Sequence, residues 1–227
     1  AELVHAAGVR ASLHTDAGMS TTVKLRVIAR QQQLVRVDFE TPPSSEVLAS
    51  KLADFEAALP VSDAVILSDY GKGGLAHIEH MIRLARAAGR PVLVDPKGDD
   101  YSRYHGATVV TPNRAELRDV VGSWKDEADL VRRAQGLRAE LGLEALLVTR
   151  SEQGMSLFRA DGVLNVPAET REVYDVSGAG DTVIAALGVM IAAGATLEDA
   201  MRIANRAGGI VVGKLGTAVA TREELLG

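Results

Sequence analysis

The 227-residue chain contains no cysteine. That excludes disulfides and thiolate metal sites and fits a reducing compartment, with the cytoplasm as the default. Long apolar runs are also missing. The longest candidate, Val183 to Ala193, has the length of a core helix and falls short of the roughly 20 residues that span a bilayer. No signal-peptide pattern opens the chain. Neither sign of charge dominates: 25 basic and 30 acidic residues leave a formal net charge of −5. Such a balance offers no general attraction to nucleic acid or an anionic membrane and favours a small-molecule partner. Of the histidines His5, His14, His77, His80 and His105, only His77 and His80 are close in sequence. With Glu79 between them on an amphipathic helical pattern, they read as a solvated helix face and not as a zinc site.

A hydrophobic content of 47% suffices for a sizeable core and predicts one α/β domain with a small appendage. The chain opens Ala1-Glu2-Leu3-Val4, without an initiator methionine and on what reads as the tail of a helix before Gly8. The expectation is a single domain over 1–227 whose natural N-terminal part is missing.

Bursts rich in Val and Ile (Ala64 to Leu67, Pro91 to Val94, Ala107 to Thr111, Ala145 to Thr149) alternate with helical patterns at Ala76 to Ala88, Arg114 to Val121 and Glu127 to Leu141. This alternation predicts a mainly parallel sheet covered by helices. Each burst ends in polar residues: Ser68-Asp69-Tyr70-Gly71-Lys72, Asp95-Pro96-Lys97-Gly98, Thr111-Pro112-Asn113 and Thr149-Arg150-Ser151. Ligands of open α/β sheets bind beyond the carboxyl ends of the strands, so these ends are expected to converge on one site. Lys72 and Lys97 then either offset phosphate charge or stay solvated at the surface.

One segment breaks the alternation. Thr22 to Ala29 and Leu34 to Glu40 read as two strands around Gln31-Gln32-Gln33, a hairpin over 22–40. Period-two patterning puts Lys24, Arg26 and Arg30 on one face and Leu25, Val27 and Ala29 on the other. It is either an ordinary edge hairpin with a solvated charged face or a lid. As a lid, its basic face meets an anionic substrate and its apolar face seeks a second subunit, because a two-stranded ribbon is marginal alone.

The densest stretch is Asp175-Val-Ser-Gly-Ala-Gly-Asp181, followed by the apolar helical run from Thr182. Ser177 or Gly178 is expected to open that helix. Gly178 and Gly180 let backbone N–H groups approach an anion, and the helix N-terminus favours negative charge there. Asp181 in the first turn is placed to accept a proton from a hydroxyl attacking phosphorus. The plainer reading makes Ser177 an N-cap and Asp181 a complement to the helix dipole.

This loop, the tetrad Asn113-Arg-Ala-Glu116 after a strand, and the hairpin together resemble the ribokinase-like (PfkB) family of sugar kinases. The segments Thr22-Val-Lys-Leu-Arg-Val-Ile-Ala-Arg, Gln32 to Glu40, Leu67-Ser-Asp-Tyr-Gly-Lys-Gly73 and Val212-Gly-Lys-Leu-Gly-Thr217 look like the heptose 7-phosphate kinases within it. The resemblance implies a three-layer α/β/α sandwich with a hairpin lid. It further implies ATP-dependent phosphorylation of the C1 hydroxyl of the sugar phosphate, with Mg²⁺, in the supply of lipopolysaccharide core precursors. It makes Asp181 the catalytic base and the amides of Gly178, Ala179 and Gly180 the anion hole. Asn113, Arg114, Ala115 and Glu116 then lie by the ATP phosphates, with Glu116 and Asn113 toward the metal. Side chains at i and i+3 of a helix start share a face, and Mg²⁺ keeps several waters, so one carboxylate can suffice. A capping box explains the same pair and is compatible with ligand binding.

Thr149 and Gly154 match the strand end and turn lining the nucleotide pocket, and Asn205 and Gly209 match positions near the adenine. The Gly208-Gly209 pair costs a helix about 1 kcal/mol per glycine relative to alanine, which either close ligand approach or helix packing explains. For the sugar phosphate, Lys24, Arg26 and Arg30 are the expected contacts, with Lys72 and Lys97 added at the strand ends. A homodimer through the hairpin is expected. A kinase for ribose, fructose phosphate or a nucleoside, a silent sugar-phosphate-binding module and a structural fragment remain the alternatives.

Overall fold

The computed structural model of the chain describes residues 2–30, 32–169 and 172–227. After the short helix α1 (Glu2–Ala6), strands β1 (Val23–Ala29) and β2 (Gln32–Phe39) pair antiparallel as a separate two-stranded sheet. The hairpin is therefore present, with two differences from expectation. Gln32 and Gln33 already belong to β2, while Gln31 lies outside the described residues. The register shifts between Val27 and Ile28, and Arg30 sits at the tip with φ 49°. The extra residue of this bulge, Leu34, belongs to β2; Arg30 lies beyond the end of β1 in the left-handed turn, so it does not continue the face of Lys24 and Arg26.

Helix α2 (Ser45–Ala58) leads into the main sheet and was not anticipated, because its apolar positions are too few for a clear stripe. The sheet then runs β3 (Val65–Ser68), α3 (Ile78–Ala87), β4 (Val92–Asp95), β5 (Val109–Val110), α4 (Arg114–Val121), α5 (Glu127–Glu140) and β6 (Ala145–Thr149). Two further strands, β7 (Met155–Arg159) and β8 (Gly162–Val166), complete six neighbours in sequential order. Pairing is parallel from β3 to β6 and antiparallel from β6 to β8. The β7–β8 hairpin also escaped the sequence reading. Helices α6 (Ala179–Ala192), α7 (Leu197–Val212) and α8 (Arg222–Leu226) close the chain.

Strand side chains alternate between two cores. Val92, Val94, Val110, Leu146 and Val148 pack with Ile78, Met81 and Ile82 of α3, Leu117 of α4 and Leu130, Ala134 and Leu137 of α5. Leu93, Val109, Ala145 and Leu147 face the opposite way, against Val183, Ile184 and Leu187 of α6 and Met201 and Ala204 of α7. A strand buried on both faces must be apolar at every position, which is why these bursts read as continuous runs. Each such Val or Leu contributes about 1.5–3 kcal/mol when fully buried. The result is the three-layer α/β/α sandwich with a mainly parallel sheet. Its polar strand ends are left at one edge.

Candidate active site

Four strand ends and two helix starts meet around a cavity of about 240 Å³ lined by Asp69, Tyr70, Asp95, Lys97, Thr111, Asn113, Glu116, Thr149, Gly178, Gly180 and Asp181. The expected convergence of the polar strand ends with the glycine loop is thus the geometry of the fold. A direct bridge between Asn113 and Thr149 and the hydrogen bond from Thr149 N–H to Pro112 C=O (3.0 Å) fasten two of those ends together.

Helix α6 begins at Ala179 with Gly178 as its N-cap, in the left-handed region at φ 78°. Ser177 does not cap it. Its N–H instead donates to Asp175 Oδ1 (2.9 Å), and Asp175 Oδ2 accepts from Gly216 N–H (3.2 Å). These bonds, the one from Ser177 N–H foremost, hold the Asp175 carboxyl below the usual carboxylate range. They brace the glycine loop against residues 213–217, which follow α7. Ala179 N–H is committed to Val176 C=O (3.2 Å), whereas the amides of Gly178, Gly180 and Asp181 have no acceptor among the described residues. The first-turn amides of a helix have no intrahelical partner, so three N–H groups stand available at the cavity. The expected anion hole therefore loses Ala179 and gains the backbone of Asp181 in this conformation. The exposed Asp181 side chain takes a hydrogen bond from Tyr70 Oη at 3.2 Å.

Across the cavity, α4 starts with a full capping box. Asn113 Oδ1 accepts from the N–H groups of Ala115 (2.9 Å) and Glu116 (3.0 Å), and Glu116 Oε2 accepts from Asn113 N–H (3.0 Å). Asn113 thus has its oxygen occupied and its amide nitrogen left to donate, which suits an anion better than a metal. Glu116 Oε1 pairs with Lys97 Nζ at 3.1 Å. Arg114 turns away to Gln153 Oε1 (3.2 Å) and to the Trp124 ring, and Ala115 is exposed; neither lines the cavity.

Asp95, the last residue of β4, adds a carboxylate to which the sequence pattern assigns no role. It is pushed up to about 6, chiefly by burial, with Glu116 and Asp181 adding to the rise, while Ser68 Oγ (3.2 Å) and Lys97 oppose it. Glu116 and Asp181 both disfavour charge on Asp95, a cost that a divalent cation bound beside Asp95 would relieve. Among the described residues no cluster of three or more His, Asp or Glu holds a metal unaided. Mg²⁺ takes one or two carboxylates and completes its shell with water and nucleotide phosphates, and Glu116 and Asp95 line the cavity as oxygen donors of that kind. The signal for Asp95 was a carboxylate directly after the buried run Val92 to Val94. For Tyr70 it was a hydroxyl-bearing ring immediately after a strand end.

Other expected residues lie elsewhere. Lys72 is absent from the cavity and pairs with Glu40 at 2.6 Å, tying the exit of the hairpin to the loop after β3. Gly154 (φ 86°) is demanded by packing, since a Cβ there would stand 2.1 Å from Val166 C=O oxygen and 2.5 Å from Ala168 N. Asn205 is buried and donates to Pro167 C=O (2.9 Å), and a Cβ on Gly209 would stand 3.4 Å from Glu169 Cβ. These three residues therefore clamp residues 166–169 and do not line the cavity. Gly208 packs against Val183, which favours helix packing as the reason for the glycine pair. Lys24 and Arg26 lie on β1, opposite Asp38 and Arg36 of β2.

The model of the pfkB family carbohydrate kinases matches residues 1–224. A protein called D-beta-D-heptose 7-phosphate kinase from Bordetella bronchiseptica is 59% identical over 220 residues, 97% of this chain and 70% of that protein. The "Bifunctional protein HldE" of Nitrosococcus oceani is 52% identical over 222 residues, covering 96% of this chain but 46% of its own length, so the chain spans about half of that relative. Among solved structures, Thermotoga maritima ribokinase superposes with TM-score 0.78 at 21% identity, over 99% of this chain and 74% of that one. Escherichia coli phosphofructokinase-2 in complex with potassium gives 0.77 at 19%, over 99% and 75%. Those two likenesses carry the fold. Together with the family match, the cavity at the strand ends and the glycine loop place this chain in the pfkB family of carbohydrate kinases.

Proposed function

We propose that the chain transfers the γ-phosphoryl group of ATP to the C1 hydroxyl of D-glycero-β-D-manno-heptose 7-phosphate, giving the 1,7-bisphosphate for lipopolysaccharide core synthesis. The observation that carries the reading is one carboxylate, Asp181, in the first turn of a helix whose free amides open on the same cavity as Lys97, Asn113 and Glu116. The 59% identity to a protein named for that substrate supports the choice of sugar.

Asp181 accepts the proton of the C1 hydroxyl as its oxygen attacks the γ-phosphorus, and the bond from that phosphorus to the β-γ bridging oxygen breaks, releasing ADP. The amides of Gly178, Gly180 and Asp181 hold the transferring group, whose equatorial oxygens carry the developing charge. The Asn113 side-chain amide donates to a phosphate oxygen. Lys97 exchanges its bond to Glu116 for one to phosphate, which frees the carboxylate. Glu116, with Asp95 beside it, would hold Mg²⁺. When bound, that ion neutralises charge on the β- and γ-phosphates. Thr149 borders the nucleotide, and Gly154, Asn205 and Gly209 shape the adenine end by clamping residues 166–169.

The hairpin serves as the lid. Lys24 and Arg26, with Arg36 opposite and Arg30 at the tip, meet the 7-phosphate, and Lys72 anchors the lid through Glu40. Its other face carries Val23, Leu25, Val27, Val35, Val37 and Phe39, all more than a third exposed. A ribbon uncovered on an apolar face is marginal, and a second copy of the same face is its natural cover, so the working form is a homodimer in the cytoplasm.

Coupled ADP release with Mg-ATP and the heptose 7-phosphate tests the reading on the protein as its gene encodes it. Asp181→Asn is expected to cut turnover by at least about 1,000-fold while ATP still binds. Absence of heptose-dependent turnover in the parent would discard the sugar assignment.

A further inference from the structure

The loop after β3 carries a side chain to which the chemistry above gives no task. Tyr70 Oη donates to Asp181 Oδ1 at 3.2 Å, across a sequence separation of 111 residues. The ring is 60% exposed, so burial does not account for its position. Its backbone, by contrast, is tightly held. The neighbouring Asp69 is buried and accepts from Tyr104 Oη (2.9 Å) and Gly71 N–H (2.8 Å), with Arg103 Nη1 at 3.5 Å. Asp69 N–H donates to Asp95 C=O (2.9 Å), continuing the β3–β4 ladder by one residue. Gly71 turns the chain at φ 69°, Lys72 is paired with Glu40, and Lys51 Nζ donates to Gly74 C=O (3.0 Å).

An exposed phenol mounted on so constrained a loop and aimed at one oxygen of a carboxylate is an orienting device. Asp181 stands in the first turn of α6, and among the described residues Tyr70 is its one side-chain hydrogen-bond partner, the contact that fixes the rotation of its carboxyl plane. We infer that Tyr70 is a positioning residue for phosphoryl transfer, whose hydroxyl engages Oδ1 of Asp181 and thereby leaves Oδ2 facing the acceptor hydroxyl. The inference rests on Asp181 being the base in the proposed reaction. Burial, with Asp181 as the next contributor, pushes the phenol of Tyr70 above its ordinary value, so it remains a donor throughout the neutral range. The same loop bears the lid anchor, so closure over the sugar and alignment of the base act on one rigid segment.

Tyr70→Phe keeps the ring and removes only the donor. The expected result is a fall in kcat of about 10- to 100-fold, the range of a hydrogen bond to a charged group, with KM for ATP and for the sugar phosphate within about twofold of the parent. An unchanged kcat in this variant, with Asp181→Asn inactive, would overturn the inference. So would a lowered sugar KM at constant kcat, which would mean that the tyrosine only occupies the acceptor's place. A substrate-independent measurement separates this inference from the proposed function: the ¹³Cζ resonance of Tyr70, assigned by its loss in Tyr70→Phe, is expected to move in Asp181→Asn. If the parent fails to turn over the heptose phosphate, the sugar assignment falls and the resonance decides, an unmoved signal overturning the pairing.

Discussion

At the residue scale the site is a contest among carboxylates. Asp95 sits half-buried at the end of β4 and is raised to about 6, against an ordinary value of 3.8. The native state therefore binds more protons than the unfolded state between about pH 4 and 6, and stability falls as pH rises through that window. Above it the cost is fully present. Asp95→Asn is expected to stabilise the protein at pH 7 by about 1 kcal/mol after allowance for partial exposure, or about 2–4 °C in Tm, with the gain vanishing below pH 4. Thermal melts of both proteins at pH 4 and pH 7 check this. The same change should slow phosphoryl transfer, since the destabilising carboxylate is the one placed to help hold Mg²⁺. Gly154 obeys a different constraint. A methyl group there meets backbone that no rotamer change can move, at a φ that side chains rarely adopt. Gly154→Ala is expected to cost about 2–4 kcal/mol in urea unfolding, although the residue does not line the cavity.

At the element scale the hairpin presents two faces with different work. On one, Arg26 stands directly opposite Arg36, and Arg36 is bound to Asp38 at 2.8 Å while Arg26 has no side-chain partner among the described residues. Like charges directly opposed on a sheet are destabilising, and in the proposed function the sugar's 7-phosphate offsets that repulsion. Arg26→Ala is expected to raise KM for the phosphorylated sugar about 10-fold or more with KM for ATP nearly unchanged, measured by steady-state kinetics. Equal effects on both substrates would remove the lid-phosphate assignment. Much of this element was legible, because alternation of charge and apolar residues over seven positions has few other readings. The bulge at Val27/Ile28 was not, since it depends on which residues pair across the strands. Arg30 falls off the basic face for a separate reason: it lies in the turn beyond Ala29, at φ 49°.

At the scale of the whole molecule, the two cores leave the six apolar residues of the hairpin's second face without cover. Leu25→Asp, opposite Val37 in the centre of that face, is expected to convert a dimer to a monomer in light scattering and to leave the fold of the main sheet intact by circular dichroism. A parent that is monomeric at micromolar concentration would end the dimer proposal. Among the described residues no helix is long and apolar enough to cross a membrane, in line with the lengths of the apolar runs.

The sequence by itself determined the layered α/β architecture, because strands buried on both faces must be apolar throughout. It also determined the chemistry of the glycine loop, because Gly-x-Gly-Asp before an apolar helix places amides and a carboxylate together by local geometry. The short β7–β8 hairpin and α2 stayed hidden, since their patterns are too brief or too weak to stand out from loops. Only the tertiary structure decided which strand-end residues share the cavity. It brought Tyr70 to Asp181 and Asp95 beside Glu116, sent Lys72 to Glu40, and assigned Gly154, Asn205 and Gly209 to the packing of residues 166–169. Those pairings join residues tens of positions apart, and neither periodicity nor spacing encodes such contacts; they follow from how the sheet twists and how the loops fold over its edge.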